Sequence, residues 1–444
     1  MTKRRVVITG LGVVSPLGIG HEPLWNALLN GQSGIRRLEA FDATHFKSQI
    51  GGEAPRFSMA DYVPKYYRKS TKVMARDIEI AVVAAYLAAK DAGLRTKCLI
   101  ERGEAEAPSS VDSTRFGANI GSGLICADLN ELAGALATAA DPGGGFSLRR
   151  WGSEGMNNLT PLWLLKFLPN MLACHVTIVH DAQGPSNTIT CGEASSHLAV
   201  GEAFRTIERG AADICICGGA ESKLNPMGLL RQELVGRLAT AFNHAPERAC
   251  RPFDAERGGT VISEGGGLFI LEELEHARRR GARIYAEVIG FGASSNVHSW
   301  TDPHPEGEGI ALAARKALAD AGITAEQIDL LSAQGVGTVA HDLSEARGIR
   351  RALGDRRDVP VLATKGAVGN NGAGSGAIDL AMATLAMFHN TVPPSRNTEK
   401  VDPACGLRVV TGDPIDARVR CLLSVAFALG GGQNAALVLK RYQE

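Results

Sequence analysis

Aromatic residues are scarce in this chain, only 5% of 444 positions, so its core must be built from aliphatic and small side chains. Neither charge sign is in excess: 47 Lys plus Arg meet 47 Asp plus Glu. That balance gives no global field toward nucleic acid or an anionic membrane surface. No run is long and apolar enough to cross a bilayer, and the apolar stretch after Arg5 is too short for a signal peptide. The nine cysteines are scattered and odd in number, and Cys215-Ile216-Cys217 has strand patterning, not metal-finger spacing. The expectation is a reduced cytoplasmic protein with no disulfide, no metal and no membrane or nucleic-acid partner.

Glycine, by contrast, is abundant, with 52 residues concentrated at strand-to-helix turns. These turns recur. Val7-Ile8-Thr9-Gly10-Leu11-Gly12 resembles Val288-Ile289-Gly290-Phe291-Gly292, and Ala89-Lys90-Asp91-Ala92-Gly93-Leu94 resembles Ala319-Asp320-Ala321-Gly322-Ile323. A strand with a Gly-rich exit follows in each half, at 116–123 and 330–337. Then come a strand, turn and small-residue helix, at 188–209 and 361–388, and an apolar strand running into glycines, at 214–219 and 422–432. Five elements repeated in one order indicate two duplicated α/β halves, 1–275 and 276–444, each with a mainly parallel core sheet. Alanine-rich helices suit burial between sheets. Gly10-Leu11-Gly12 does not complete a dinucleotide fingerprint, because Ser15 stands where the third glycine belongs.

The strand–turn–helix at Asn187 to Arg209 is where an activated side chain would sit, since a helix N-terminus stabilises negative charge. The residue at that corner is Glu193. Two roles are open to it from its position: a structural plug, or a general base with a pKa raised by burial. The plug is favoured. Cys191 lies two residues early and reads as a buried, inert thiol; His197 reads as a structural or interface residue.

The whole chain resembles the elongating β-ketoacyl synthases of the thiolase superfamily. The resemblance rests on Val7 to Gly12, Asn170-Met171-Leu172-Ala173, Gly218-Gly219-Ala220-Glu221, Arg251 to Gly259, Ser263 to Gly267, Thr364-Lys365-Gly366 and Gly430-Gly431. It implies a five-layered αβαβα sandwich that dimerises through its core sheets. It also implies a cysteine nucleophile and two histidines, which here fall on Glu193, Gln334 and Asn370, and adds decarboxylation, as in ketosynthase-like domains with glutamine at the nucleophile position, as a third reading of Glu193. Thr338 matches a threonine that contacts the phosphopantetheine arm of acyl carrier protein, so that arm is a substrate carrier and no other cofactor is implied. Lys365 is kept and is expected to pair with Glu193, Glu345 or Asp342. The gating loop becomes Phe427-Ala428-Leu429-Gly430-Gly431-Gly432, with Leu429 at the gating phenylalanine position.

Such losses on an intact scaffold resemble the chain-length-factor subunits of type II polyketide and polyene systems. The resemblance implies an active ketosynthase as heterodimer partner, with residues 157–170, including Leu162, Trp163, Leu164, Phe167 and Leu168, as interface and tunnel element. Ordinary helical core is the competing account of that stretch. Two other functions stay open: altered chemistry on acyl thioesters using Glu193, and a homodimer that binds an acyl chain or carrier protein.

Overall fold

In a computed structural model, residues 3–354 and 356–443 are described. One twelve-stranded sheet runs through the chain, eleven strands in one path and Gly18–Ile19 paired beside Val6–Ser15. From one edge it passes through Arg408–Val409, Pro360–Leu362, Leu330–Ser332, Cys421–Phe427, Gly432–Lys440 and Ala286–Asn296. It continues through Val6–Ser15, Glu264–Glu273, Ile214–Ser222 and Phe116–Ser122 to Ser186–Ile189 at the other edge. The halves join where Val6, Val7 and Ile8 pair antiparallel with Val288, Glu287 and Ala286. The sheet is less parallel than expected. Pairing is parallel only toward the two outer edges, and the strands flanking the join are antiparallel. One of the antiparallel pairs, Cys421–Phe427 with Gly432–Lys440, is joined by a loop too short for a parallel crossover.

The two halves of the sheet face each other across a middle layer. Helices Ser195–Glu208 and Ser375–His389 each touch strands of both halves. Every residue from Ser375 to Met387 is buried, which requires the small side chains found there. Helix Arg76–Asp91 covers the outside of the first half and Glu308–Ala321 that of the second, giving five layers.

The repeated motifs do the same work twice. A Cβ on Gly10 would collide with the Ala88 carbonyl, and one on Gly290 with the Ala317 carbonyl; Gly12 and Gly292 stand likewise against Ala84 and Ala313. Asp91 then accepts from the Leu11 amide at 2.8 Å, and Asp320 from the Phe291 amide at 3.0 Å. Glycine lets each outer helix lie on its strand, and the aspartate ties the two together. Both helices therefore sit on their strands at fixed depth, and the strand ends of both halves open onto one face.

Candidate functional site

Strand Ser186–Ile189 leads to Gly192, whose φ of 55° makes the tight turn, and helix Ser195–Glu208 follows. Ser195 Oγ fixes the corner by accepting from the Cys191 amide at 2.8 Å and donating to the Gly192 carbonyl at 2.6 Å. Glu193 projects inward and is 4% exposed. Its Oε1 accepts from Lys223 Nζ at 3.1 Å and from Asn370 Nδ2 at 3.2 Å, and its Oε2 from the Leu429 amide at 3.1 Å. Burial alone would raise its pKa, but the Lys223 charge and the Leu429 amide outweigh that and hold it down at about 2. Glu193 is a paired carboxylate. Its pKa is thus lowered by its partners, where burial alone would raise it.

Lys223 was not among the residues the sequence pointed to. It follows strand Ile214–Ser222, and burial acts against its charge, yet Glu193 and Glu221 beside it carry its pKa upward. Glu221 itself accepts from the Ala373 amide at 2.6 Å. The corner thus holds a cation between two carboxylates.

Both amides at the former histidine positions are occupied. Gln334 Nε2 donates to the Phe427 carbonyl at 3.0 Å, and its Oε1 accepts from the Phe427 amide at 2.7 Å. Asn370 gives Nδ2 to Glu193, while its Oδ1 accepts from the Gly372 amide and Ser375 Oγ, each at 3.0 Å. Each amide NH2 makes one of its two possible donations within the chain, and an amide moves no proton at neutral pH.

The structure brings Glu193, Asn370 and Leu429 into direct contact and Gln334 against Phe427; Lys365 stands apart. Its ammonium pairs with Asp379, on the middle-layer helix Ser375–His389, and both are buried. None of the expected partners Glu193, Glu345 and Asp342 takes that role, because the latter two are spent on backbone. Glu345 accepts from the amides of Gln334 and Gly335, and Asp342 from those of Val336, Gly337 and Phe253. Thr338 caps helix Val339–Leu353, accepting from the His341 amide. Its hydroxyl also bonds His341 Nδ1 at 2.8 Å. Cys191 is half-buried, not fully buried as expected, and burial pushes its thiol pKa up. His197 is fully buried, bonds Ser424 Oγ at 2.8 Å, and is pushed down to about 3 by burial and by the Lys365 charge.

Residues 157–170 contain no regular helical core. Trp163–Phe167 is a short 3-10 turn entered through Leu162 at φ 63°, and Leu162 and Leu164 are 67% and 52% exposed. Phe167 and Lys166 reach a cavity of about 710 Å³ whose wall includes Met74, Ile125, Leu129 and Asp77. Among the described residues no cluster of His, Cys, Asp or Glu could hold a metal, and no helix is long and apolar enough to cross a membrane.

A nucleophile corner beneath a five-layered duplicated sheet is the architecture of acyl-thioester condensing enzymes, and similarity to known proteins agrees. Residues 3–277 match the family described as "Beta-ketoacyl synthase, N-terminal domain", and residues 285–399 the corresponding C-terminal domain. The chain is 36% identical to "3-oxoacyl-[acyl-carrier-protein] synthase 2" of Coxiella burnetii over 99% of both chains. The structure of "the ishigamide ketosynthase/chain length factor" superposes with a TM-score of 0.83 at 30% identity over 100% of both chains. A type II PKS acyl-carrier protein in complex with its ketosynthase bound to the hexaketide gives 0.81 at 29% identity, also over 100% of both. The chain belongs to the β-ketoacyl synthase family, and its fold is the thiolase fold.

Proposed function

We propose that this chain is the non-catalytic, chain-length-factor-like half of a heterodimer with a cysteine-bearing ketosynthase in type II fatty acid or polyketide/polyene synthesis. The observation that carries this reading is the closed circuit at the corner. Glu193 is ion-paired to Lys223, and the side chains of Gln334 and Asn370 are consumed by Phe427 and Glu193. A carboxylate and two amides thus stand at the three positions where the resemblance implies a nucleophile and two proton-bearing histidines.

Three further observations support it. The ishigamide structure is named for both a ketosynthase and a chain length factor. Strand Ser186–Ile189 is an unpaired sheet edge, and Leu162 and Leu164 are exposed. Such an edge invites pairing with another chain. Phe167 lies on the wall of the large cavity, so the 157–170 segment serves as both interface and tunnel element. On this reading the halves divide at 1–275 and 276–444, and the partner supplies the nucleophile. Acyl carrier protein, seen with the ketosynthase of the hexaketide complex, delivers the chain on its phosphopantetheine arm. All nine cysteines are unpaired, in keeping with a cytoplasmic protein.

Co-purification from the native host, with masses and ratio read by native mass spectrometry, tests the assignment. An equimolar complex with a cysteine-bearing ketosynthase is expected. A homodimer alone overturns it and leaves acyl-chain or carrier-protein binding, or Glu193-dependent chemistry on acyl thioesters, as the function.

A further inference from the structure

The loop after strand Cys421–Phe427 is held through its first residues, Phe427, Ala428 and Leu429. Gln334 takes both the N–H and the carbonyl of Phe427. The Ala428 amide donates to the Gln433 carbonyl at 2.9 Å. Leu429 is gripped from both sides: its amide donates to Glu193 Oε2 at 3.1 Å, and His341 Nε2 donates to its carbonyl at 3.1 Å. His341 is itself oriented by Thr338 Oγ1 on Nδ1 and lies nearly parallel to the Phe427 ring, centroids 6.4 Å apart. Ala428 packs over Gly192, so the loop covers the corner that carries Glu193. Leu429 is 2% exposed and shares an apolar cluster with Ile310, Val336 and Phe427.

We infer that Glu193 and His341 act together as a two-sided clamp on the Leu429 peptide, keeping the 427–432 loop shut over the corner so that this chain admits no carrier-borne thioester of its own. Glu193 is then more than a filler of vacant space. It anchors the very loop that covers its own corner. His341 is a positioning residue: it touches no substrate and acts through Leu429. Gln334 fixes the loop's first residue and so sets where the clamp closes. Because every partner lies within one chain, the clamp stands or falls independently of any ketosynthase partner.

Hydrogen exchange on the intact protein, read on peptides spanning 427–432, tests this. In the wild type this loop should exchange far more slowly than the exposed turn at Gly143, Gly144 and Gly145. His341→Gly should speed it about tenfold or more, the equivalent of one buried hydrogen bond, while strands Val6–Ser15 and Glu264–Glu273 keep their protection. His341→Gln, whose amide can still donate to the Leu429 carbonyl, should restore most of the protection. A wild-type loop that exchanges like the exposed turn overturns the clamp, as does a loop unchanged in a folded His341→Gly protein. Should His341→Gly lose protection everywhere, the wild-type rate and the Gln variant decide: a fast wild-type loop, or a fast loop in the Gln variant with the strands intact, overturns it.

Discussion

Lys223 Nζ lies 3.1 Å from Glu193 Oε1, with the carboxylate side chain 5% and the lysine 13% exposed. The pair is what makes a buried carboxylate tolerable at this corner. Removing one member strands the other, so Glu193→Ala should cost about 3 kcal/mol in urea unfolding, the lower end for a broken buried pair because Glu221 stays beside Lys223. Glu193→Cys should lose similar stability and gain no condensing activity with malonyl and acyl carrier protein. Its thiol would have neither a proton acceptor at 334 nor one at 370.

The same pair sets a pH dependence. Glu193 titrates near 2 when folded and near 4.5 when unconstrained. Its stabilising contribution is therefore present above about pH 4.5 and is lost as pH falls toward 2. The stability gap between wild type and Glu193→Gln, measured by denaturant midpoint, should close across that window.

Asp77 behaves oppositely. Burial, reinforced by nearby Glu221, raises its pKa from 3.8 to about 7, although the Ser222 amide donates to it at 3.0 Å. The folded protein thus prefers the protonated form, and stability contributed below pH 3.8 is lost as pH rises to 7. Asp77→Asn keeps the acceptor for Ser222. It should gain on wild type across that range, by roughly 2–4 kcal/mol at neutral pH.

Gln334→Ala removes both partners of the Phe427 peptide. With that group buried, the cost should be about 2 kcal/mol in equilibrium unfolding.

Leu162→Glu and Leu164→Glu separate assembly from folding. Both leucines are exposed, so the melting temperature of the isolated chain should stay within about 1 °C of wild type. Native mass spectra should nevertheless lose the heterodimer. Retention of the complex would move the interface elsewhere.

Much of this was legible in the sequence, for a physical reason. The duplicated glycines and aspartates recur because each half must solve one packing problem, a helix lying against a bulged strand, and only Gly with Asp solves it at Gly10/Asp91 and Gly290/Asp320. Glu193 and Asn370 could be placed because their turns carry fixed spacings. Lys223 was missed because no spacing marks it. The available signal was a lone lysine just past an apolar strand whose end opens on the same face as the Glu193 turn. Lys365 was given wrong partners because its true one, Asp379, sits in a run that otherwise reads as apolar helix. His341 carried a signal too, three residues past the capping Thr338, but its significance depends on a loop 88 residues away.

Asp342 and Glu345 hold the 334–337 turn entirely by its main-chain N–H groups. Support of that kind is indifferent to what the side chain at 334 is. The side chain at 334 can therefore change without re-engineering the turn, although the Phe427 contacts change with it. Subunits that assemble with their own active relatives could arise from a gene duplicate by this route, keeping shape while shedding reactivity.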